Sequence, residues 1–350
     1  MKSNYKQLGQ FIRQVDIRNT DGREDNLLGV SVQKKFIPSI ANTVGTDFRK
    51  YKIVKRGQFT YIPDTSRRGD KIAIALLLDY EEGIVSNVYT VFEVIDENQL
   101  LSEYLMLWFM RPEFDRYARF KSHGSVREVM DWDEMCKVEL PVPEIEKQRQ
   151  IVKAFNTIND RIALKRKIND NLEAILAARF NKLYADTISK STIRIDKLIR
   201  FSNGKARPSN DGNIPVYGGN GILSYTDRSN AENVVLIGRV GAYCGSIYIE
   251  EQCCWVSDNA IVAKSKIMND EYFDYFLLKC FNLYDHHVGT GQQLLTQGIL
   301  NALECPEFSR DEIEEFNKEA KPVFLSINSN NKEIEKLKKL SSVVLTRLSH

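Results

Sequence analysis

Few side chains in this sequence are spaced for catalysis. The six cysteines, Cys136, Cys244, Cys253, Cys254, Cys280 and Cys305, form no C-x-x-C pair. The four histidines, His123, His286, His287 and His350, stand at no zinc-ligand spacing. The adjacent pairs Cys253-Cys254 and His286-His287 would point to opposite faces of a strand, so no metal site is expected. There is no G-x-x-x-x-G-K-[ST] phosphate loop, which argues against ATP hydrolysis. Gly218-Gly219-Asn220-Gly221 and residues 238–245 are rich in glycine, but neither is a G-x-G-x-x-G entering a helix. The methyl-transfer motifs Asn-Pro-Pro-Tyr and Asp-Pro-Pro-Tyr do not occur, and no nuclease-like carboxylate cluster stands out. The chain is therefore expected to perform no catalysis of its own and to bind no cofactor.

What the sequence does offer is hydrogen-bonding side chains on glycine-rich loops. Arg suits guanine and Asn or Gln suits adenine, while glycines let a backbone approach phosphates. Residues 217–225, with Gly218, Gly219, Asn220 and Tyr225, suit both jobs; a plain β-hairpin turn is the competing reading. Arg239, beside Gly238 and Gly241, could reach a phosphate or a base, or form a structural salt bridge. Gln292 and Gln293 lie between Gly291 and Leu294 and are adenine readers by type. Arg119, Lys121, Ser122 and Arg127 make a dense stretch around Gly124, favoured here as a nucleic-acid-facing loop. Arg67-Arg68-Gly69-Asp70-Lys71 reads as a solvated turn. So does the Lys165-Arg166-Lys167 face, with contact to phosphates or to an acidic partner as the alternative.

The elements that would position these residues come in two similar sets. Leu140-Pro141-Val142-Pro143 closes one stretch of more than a hundred residues and opens a long amphipathic segment; Cys305-Pro306-Glu307-Phe308 repeats the arrangement more weakly. The stretches also begin alike, at Leu8-Gly9-Gln10-Phe11-Ile12 and Ile195-Asp196-Lys197-Leu198-Ile199. Apolar runs at 73–78, 88–95, 234–237, 246–249 and 260–263 read as strands, and 272–281 as a helix. Spacings of three and four make 103–120 helical, broken or restarted at Pro112.

The first long helix is predicted over 144–184. Val152, Phe155, Ile158, Ile162, Ile168, Leu172, Ile175, Leu176, Phe180 and Leu183 recur at the period of a coiled-coil seam. Forty residues at 1.5 Å each make a rod of roughly 60 Å. The second helix opens on a capping box, Ser309 with Glu312. Its seam reads Ile313, Phe316, Ala320, Val323, Ile327, Asn331, Ile334, Leu337, Leu340 or Ser341, Val344 and Leu348. Pro322 should kink or split it near Glu319, and Asn331 should fix its register. The two stripes most simply cover one another in antiparallel fashion. A rod of roughly 60 Å is too long to pack only on its own globule.

Bulk composition sets limits. At 350 residues, 43% hydrophobic, the chain has room for two ordinary domains. Lys+Arg number 49 against 47 Asp+Glu, so any nucleic-acid contact must come from local basic faces. Free cysteines, no apolar signal core at Met1-Lys2-Ser3-Asn4-Tyr5-Lys6 and no run longer than residues such as 72–78 point to a cytoplasmic protein away from membranes.

With these features together, the sequence resembles the specificity (S) subunits of type I restriction-modification systems, the HsdS family. The residues that carry the resemblance are the junction Leu140-Pro141-Val142-Pro143-Glu144-Ile145-Glu146-Lys147-Gln148-Arg149-Gln150-Ile151-Val152 and, in the second stretch, Ile214-Pro215-Val216-Tyr217-Gly218-Gly219-Asn220-Gly221-Ile222, Leu236-Ile237-Gly238-Arg239-Val240-Gly241-Ala242 and Trp255-Val256-Ser257-Asp258-Asn259-Ala260. In the first stretch they are Ser86-Asn87-Val88-Tyr89-Thr90-Val91-Phe92 and Ser122-His123-Gly124-Ser125-Val126-Arg127. At the second junction Cys305 and Phe308 stand where Leu140 and Pro143 do, a departure from the pattern.

The resemblance implies an α+β fold. Two globular α/β target-recognition domains (1–143 and 188–306) are separated by two long antiparallel coiled-coil helices (144–187 and 307–350), in a pseudo-twofold repeat. Each domain would read one half of a split site in double-stranded DNA. The helices would set the gap and dock two modification (methyltransferase) subunits, joined by a restriction (helicase-nuclease) subunit. S-adenosylmethionine, ATP and Mg would then sit on those partners, which methylate DNA and defend against foreign DNA. The resemblance also favours Asn259, beside Asp258, as a site residue rather than a mere turn. The expected docking and seam residues are Phe155, Ile158, Ile162, Leu172, Ile175, Ile327, Asn331, Ile334, Leu337 and Val344. The competing reading is a coiled-coil scaffold whose two globules bind protein and show no DNA specificity.

Overall fold

A computed structural model of the chain describes residues 5–40, 45–64, 71–122, 129–188, 191–289 and 291–348. They form two compact units, Met1–Leu164 with Ile334–His350, and Lys165–Glu333. Each unit joins one globule to a portion of both long helices.

The two globules share a sheet topology that residue identity hides. In the first, four antiparallel strands lie in the order Ile12–Val15, Thr90–Val94, Phe59–Ile62, Ala73–Leu76. In the second, the order is Ile199–Asn203, Ala260–Ser265, Ala231–Gly238, Ile247–Val256, again antiparallel, followed by Ile214–Gly218 and Gly221–Thr226. The closing hairpin of the second set, Ile214–Gly218 with Gly221–Thr226, is antiparallel, and one pairing is parallel, Ile214–Gly218 against Ile247–Val256. Its counterpart in the first globule is Leu27–Val30, parallel to Glu82–Val85.

The difference lies in continuity. Where the second globule has Ala231–Gly238, the first has two short strands, Lys52–Lys55 and Phe59–Ile62. Gly57 sits between them at φ +83°, a conformation open to glycine and costly for most other residues. Ile247–Val256 is likewise divided into Ala73–Leu76 and Glu82–Val85. The first globule therefore splits its strands between a four-stranded and a five-stranded sheet, where the second has one six-stranded sheet.

Both globules close in the same way. Tyr5–Gln7 pairs with Glu139–Pro141, and Thr192–Arg194 with Glu304–Pro306. Leu8 N–H donates to Val138 O at 2.8 Å, and Ile195 N–H to Leu303 O at 2.9 Å. A short capped helix precedes each closing strand. Asp131 caps Trp132–Cys136 by accepting from Glu134 N–H, and Thr296 caps Gln297–Asn301 by accepting from Ile299 N–H. Pro112 restarts the helix as expected: Ser102–Phe109 is followed by Pro112–Ser122.

The long helices run Ile145–Thr187 and Arg310–Arg347. The predicted capping box is present, with Ser309 N–H donating to Glu312 Oε2 at 2.7 Å. Within each unit the two helices are antiparallel. In the first unit, Val152 and Phe155 share a core with Val344, Leu345 and Leu348. In the second, Arg179 pairs with Glu315 and Glu319 while Lys165 pairs with Glu333. The helices also enter their globules: Leu176, Phe180 and Leu183 join Phe273, Phe276, Phe308 and Phe316 in one core.

Three helix expectations need correcting. Ile175 is 65% exposed, and Leu176 takes the buried position. Consecutive residues are about 100° apart round a helix, so only one of two adjacent apolar residues can face the seam. Ile158, Leu172, Ile327, Leu337 and Val344 are half-buried, and Phe155, Ile162 and Ile334 are buried. Asn331 is exposed; the half-buried seam amide is its neighbour Asn330, which donates to Asn169 Oδ1 at 2.8 Å and accepts from Lys165 Nζ at 2.9 Å. Asn331 Oδ1 accepts from Asn169 at 2.9 Å. Lastly, Pro322 does not split the second helix, which is continuous through it. The lost hydrogen bond and clash cost about 3 kcal/mol. Burial of Phe316 and Phe324 on either side offsets this at about 1.5–3 kcal/mol each.

Candidate nucleic-acid interface

In the second unit, glycine backbone and polar side chains meet where Ala231–Gly238 ends. Gly238 N–H donates to Ser246 O, and the Gly238 carbonyl accepts from Gly245 N–H, both at 2.8 Å. A Cβ on Gly238 would stand 2.3 Å from Tyr243 O and 2.4 Å from Ser246 Oγ, so only glycine fits. Gly219, in the turn between Ile214–Gly218 and Gly221–Thr226, packs over the same spot. A Cβ there would lie 3.5 Å from Asn259 O, 3.6 Å from Tyr243 Cβ and 3.7 Å from Gly238 Cα. Ser246 Oγ donates to Gly219 O.

Arg239 follows directly, and its backbone is held on both sides. Its N–H donates to Asn259 O at 3.1 Å, and its carbonyl accepts from Leu295 N–H at 2.8 Å. The buried Cys244 thiol, pushed up from its ordinary pKa by burial, also donates to that carbonyl, at 3.5 Å. The Arg239 side chain is half-buried, and its Nε is buried without a hydrogen-bond partner among the described residues. It forms no ion pair among them either, which leaves the salt-bridge reading without support. Gly241 N–H donates to Gln293 O at 3.0 Å.

The structure thus brings Gly219, Arg239, Asn259 and Gln293 together. Asn220, Asn259 and Gln292 are exposed beside them, and Gln293 is half-buried. Gly218 is buried within the hairpin and serves as its frame. Tyr225, 53% exposed, sits on the hairpin's second strand opposite Pro215. The hairpin reading of 217–225 is therefore what the backbone adopts. Tyr217 is no reader: its hydroxyl, held protonated by burial and by Glu250, donates to that carboxylate at 2.9 Å.

Sequence reasoning missed two neighbours. Tyr243 is 50% exposed over Gly219. Lys205 is exposed and bridges Ser257, just before Asn259, with its N–H donating to Val256 O at 2.9 Å. Their signal was slight, a basic residue after Gly204 and an aromatic one between Gly241 and Gly245.

In the first unit the predicted basic stretch is only partly open. Arg119 is half-buried in the last turns of Pro112–Ser122. Lys121 is exposed and 3.5 Å from Glu134 Oε2, while Glu134 Oε1 takes Lys137 at 2.8 Å. Ser122 corrects the expectation: it is buried and its hydroxyl donates to Ala118 O at 2.6 Å, a helix-internal bond. Arg127 lies outside the described residues, as does the Gly124 loop. What does repeat is the strand-end frame. Met130 N–H donates to Pro63 O at 3.0 Å, as Leu295 does to Arg239 O. Proline thus stands in the first globule where arginine stands in the second.

Among the described residues, no group of three or more His, Cys, Asp or Glu is placed to hold a metal, and no helix is long and apolar enough to cross a membrane.

This repeated fold, with its strand-end loops, has counterparts among known proteins. The type I restriction modification DNA specificity domain model matches residues 12–174 and 192–306, most of the chain. The chain belongs to that family. Among its relatives is the type I restriction enzyme HindI specificity subunit of Haemophilus influenzae, 24% identical over 51% of this chain and 40% of that one. The MjaIX specificity subunit of Methanocaldococcus jannaschii is 29% identical over 27% of this chain. The matches therefore span 40% and 22% of those relatives' lengths. The crystal structure of a type I restriction-modification S subunit from M. genitalium has the same fold, with a TM-score of 0.63 at 13% identity, covering 99% of this chain and 96% of that one.

Proposed function

We propose that this chain supplies DNA sequence specificity to a type I restriction-modification complex and performs no catalysis itself. Each globule reads one half of a split duplex site. The paired helices set the spacing and dock two modification subunits, to which a restriction subunit is added. S-adenosylmethionine, ATP and Mg belong to those partners, and the complex works in the cytoplasm. The observation that carries this reading is the repeated strand-end frame, which in the second globule holds Arg239, Asn259 and Gln293 around backbone glycines. An arginine whose carbonyl and N–H are both fixed presents its guanidinium from a rigid base, as bidentate guanine recognition requires.

The test is a binding series on the chain assembled with its modification subunits, over a diverse duplex pool at physiological salt. One duplex class with two separated specific halves should win over bulk DNA by at least about a thousandfold. Arg239→Gln should lose about 1–3 kcal/mol of discrimination in one half and leave the other intact. The reading fails if no duplex is preferred. Equal loss in both halves would reduce Arg239 to a folding residue. A weak dependence on salt would favour the protein-binding scaffold, since phosphate contacts release counterions.

A further inference from the structure

The first unit holds a cavity of about 490 Å3 that the DNA-reading proposal does not use. Its walls are Tyr5, Trp108, Phe114 and Tyr117, and its charged lining is Arg111, Lys121, Lys137, Glu113 and Glu139. Arg111 is the unusual member. It is only 5% exposed, yet its guanidinium makes no hydrogen bond among the described residues, and its buried Nε lies 3.6 Å from Glu113 Oε2. The guanidinium carbon stands 4.1 Å over the Trp108 ring. Stacking on an indole stabilises the charge through its face but satisfies none of its N–H groups, which point outward in the guanidinium plane. A buried charged donor without an acceptor is costly and therefore marks a place where an acceptor is supplied from outside.

The lining says which acceptor. Lys121 and Lys137 are both engaged by Glu134. Arg111, ion-paired with Glu113 but hydrogen-bonded to nothing through its side chain among the described residues, is then the lining cation that has a planar fork to offer. A single planar fork between aromatic walls fits one planar carboxylate attached to an apolar or aromatic group, whereas the several charges of a polyphosphate would face Glu113 and Glu139 in the same lining. We propose that this cavity is a peptide-docking slot. It takes the C-terminal carboxylate of a partner chain whose last residue carries an aromatic or aliphatic side chain.

The probe is N-acetyl-phenylalanine, titrated onto the full chain by saturation-transfer NMR beside its uncharged amide and adenosine monophosphate. The acid, with about fifteen non-hydrogen atoms, should bind with a Kd near ~1 mM. It should bind at least about tenfold more tightly than the amide. Arg111→Gln should erase the preference for the acid, and Arg111→Lys, which keeps the charge but loses the fork, should restore only part of it. If either variant fails to fold, the acid-to-amide ratio on the unaltered chain decides alone. Equal binding of acid and amide, no binding of either up to about 10 mM, or a preference for the nucleotide would each overturn the assignment.

Discussion

The helix that carries Arg119 and Lys121 is tied by an ion pair to the turn between Leu27–Val30 and Phe36–Pro38, which makes a sharp test possible. Lys34 Nζ lies 2.5 Å from Asp115 Oδ1 and 2.9 Å from Ile72 O, with side chains 7% and 14% exposed for Lys34 and Asp115. Asp115 also accepts from Ile72 N–H at 3.2 Å. Asp115→Asn leaves a buried ammonium facing neutral groups and should destabilise the first unit by about 3–5 kcal/mol. The ceiling is set by the proton: neutralising an ordinary lysine at pH 7 costs about 5 kcal/mol, and beyond that Lys34 deprotonates. Burial already lowers the Lys34 pKa in the unaltered chain, and losing Asp115 lowers it further. The unfolded chain then holds this proton more tightly than the folded one. Stability of the variant should therefore rise with pH, and its deficit should close towards the ordinary lysine value of 10.5. Urea unfolding at pH 7 and at about pH 9.5, followed by Trp108 and Trp132 with Trp255→Phe removing the third indole, reads the effect. A loss below about 1 kcal/mol, or a deficit that pH does not change, would refute the reasoning. Replacing both partners, as Lys34→Met with Asp115→Leu, should recover most of the loss, because no unmatched charge remains.

Three further outcomes are expected. Ile175→Gln should leave unfolding within about 0.5 kcal/mol of the unaltered chain, since the residue is exposed, whereas Leu176→Ala should cost about 2–5 kcal/mol; urea midpoints compare the two, and the reverse order would restore Ile175 to the seam. Phe180→Ala, which removes a fully buried ring packed at 5.1 Å against both Phe273 and Phe316, should cost the second unit about 3–5 kcal/mol and speed its amide exchange while leaving the first unit's unchanged. Asp274 is buried, its pKa is raised well above the ordinary value by desolvation, and Ser265 donates to it. A carboxyl that stays protonated in the folded state contributes stability below its unfolded pKa and loses it as pH rises towards the folded one, so Asp274→Asn should gain on the unaltered chain between pH 4 and pH 7 in urea titrations.

The ends of the repeat were legible in sequence and its middle was not. Prolines, a capping box and a helix restart are single-residue signals, and Pro112, Pro141, Pro306 and Ser309 all stand where they were expected to act. The shared sheet order left no such mark. A ladder is made of backbone groups, and a strand position needs only a side chain that suits its face, so Phe59–Ile62 and part of Ala231–Gly238 fill one role with different residues. The helix seam was legible to its period but not to its phase. Ile175-Leu176 and Asn330-Asn331 each offer two adjacent candidates, and only packing chooses. For the candidate interface, sequence singled out Arg239 and Gln293 beside glycines, and the family resemblance singled out Asn259; the fold brings these three to one strand end. Sequence was silent on Tyr243 and Lys205, which the curl of the chain brings in, and it overvalued Ser122, whose hydroxyl turns back on its own helix.

The frame common to both globules is fastened by main-chain amides and carbonyls: Met130 to Pro63 in one, Leu295 to Arg239 in the other. Every residue type but proline brings the same amide, and every one brings the same carbonyl. The anchor therefore does not care what side chain is mounted on it. Position 63 and position 239 can change identity while the loop beneath keeps its shape. A new side chain there needs no new fold, only the old peg.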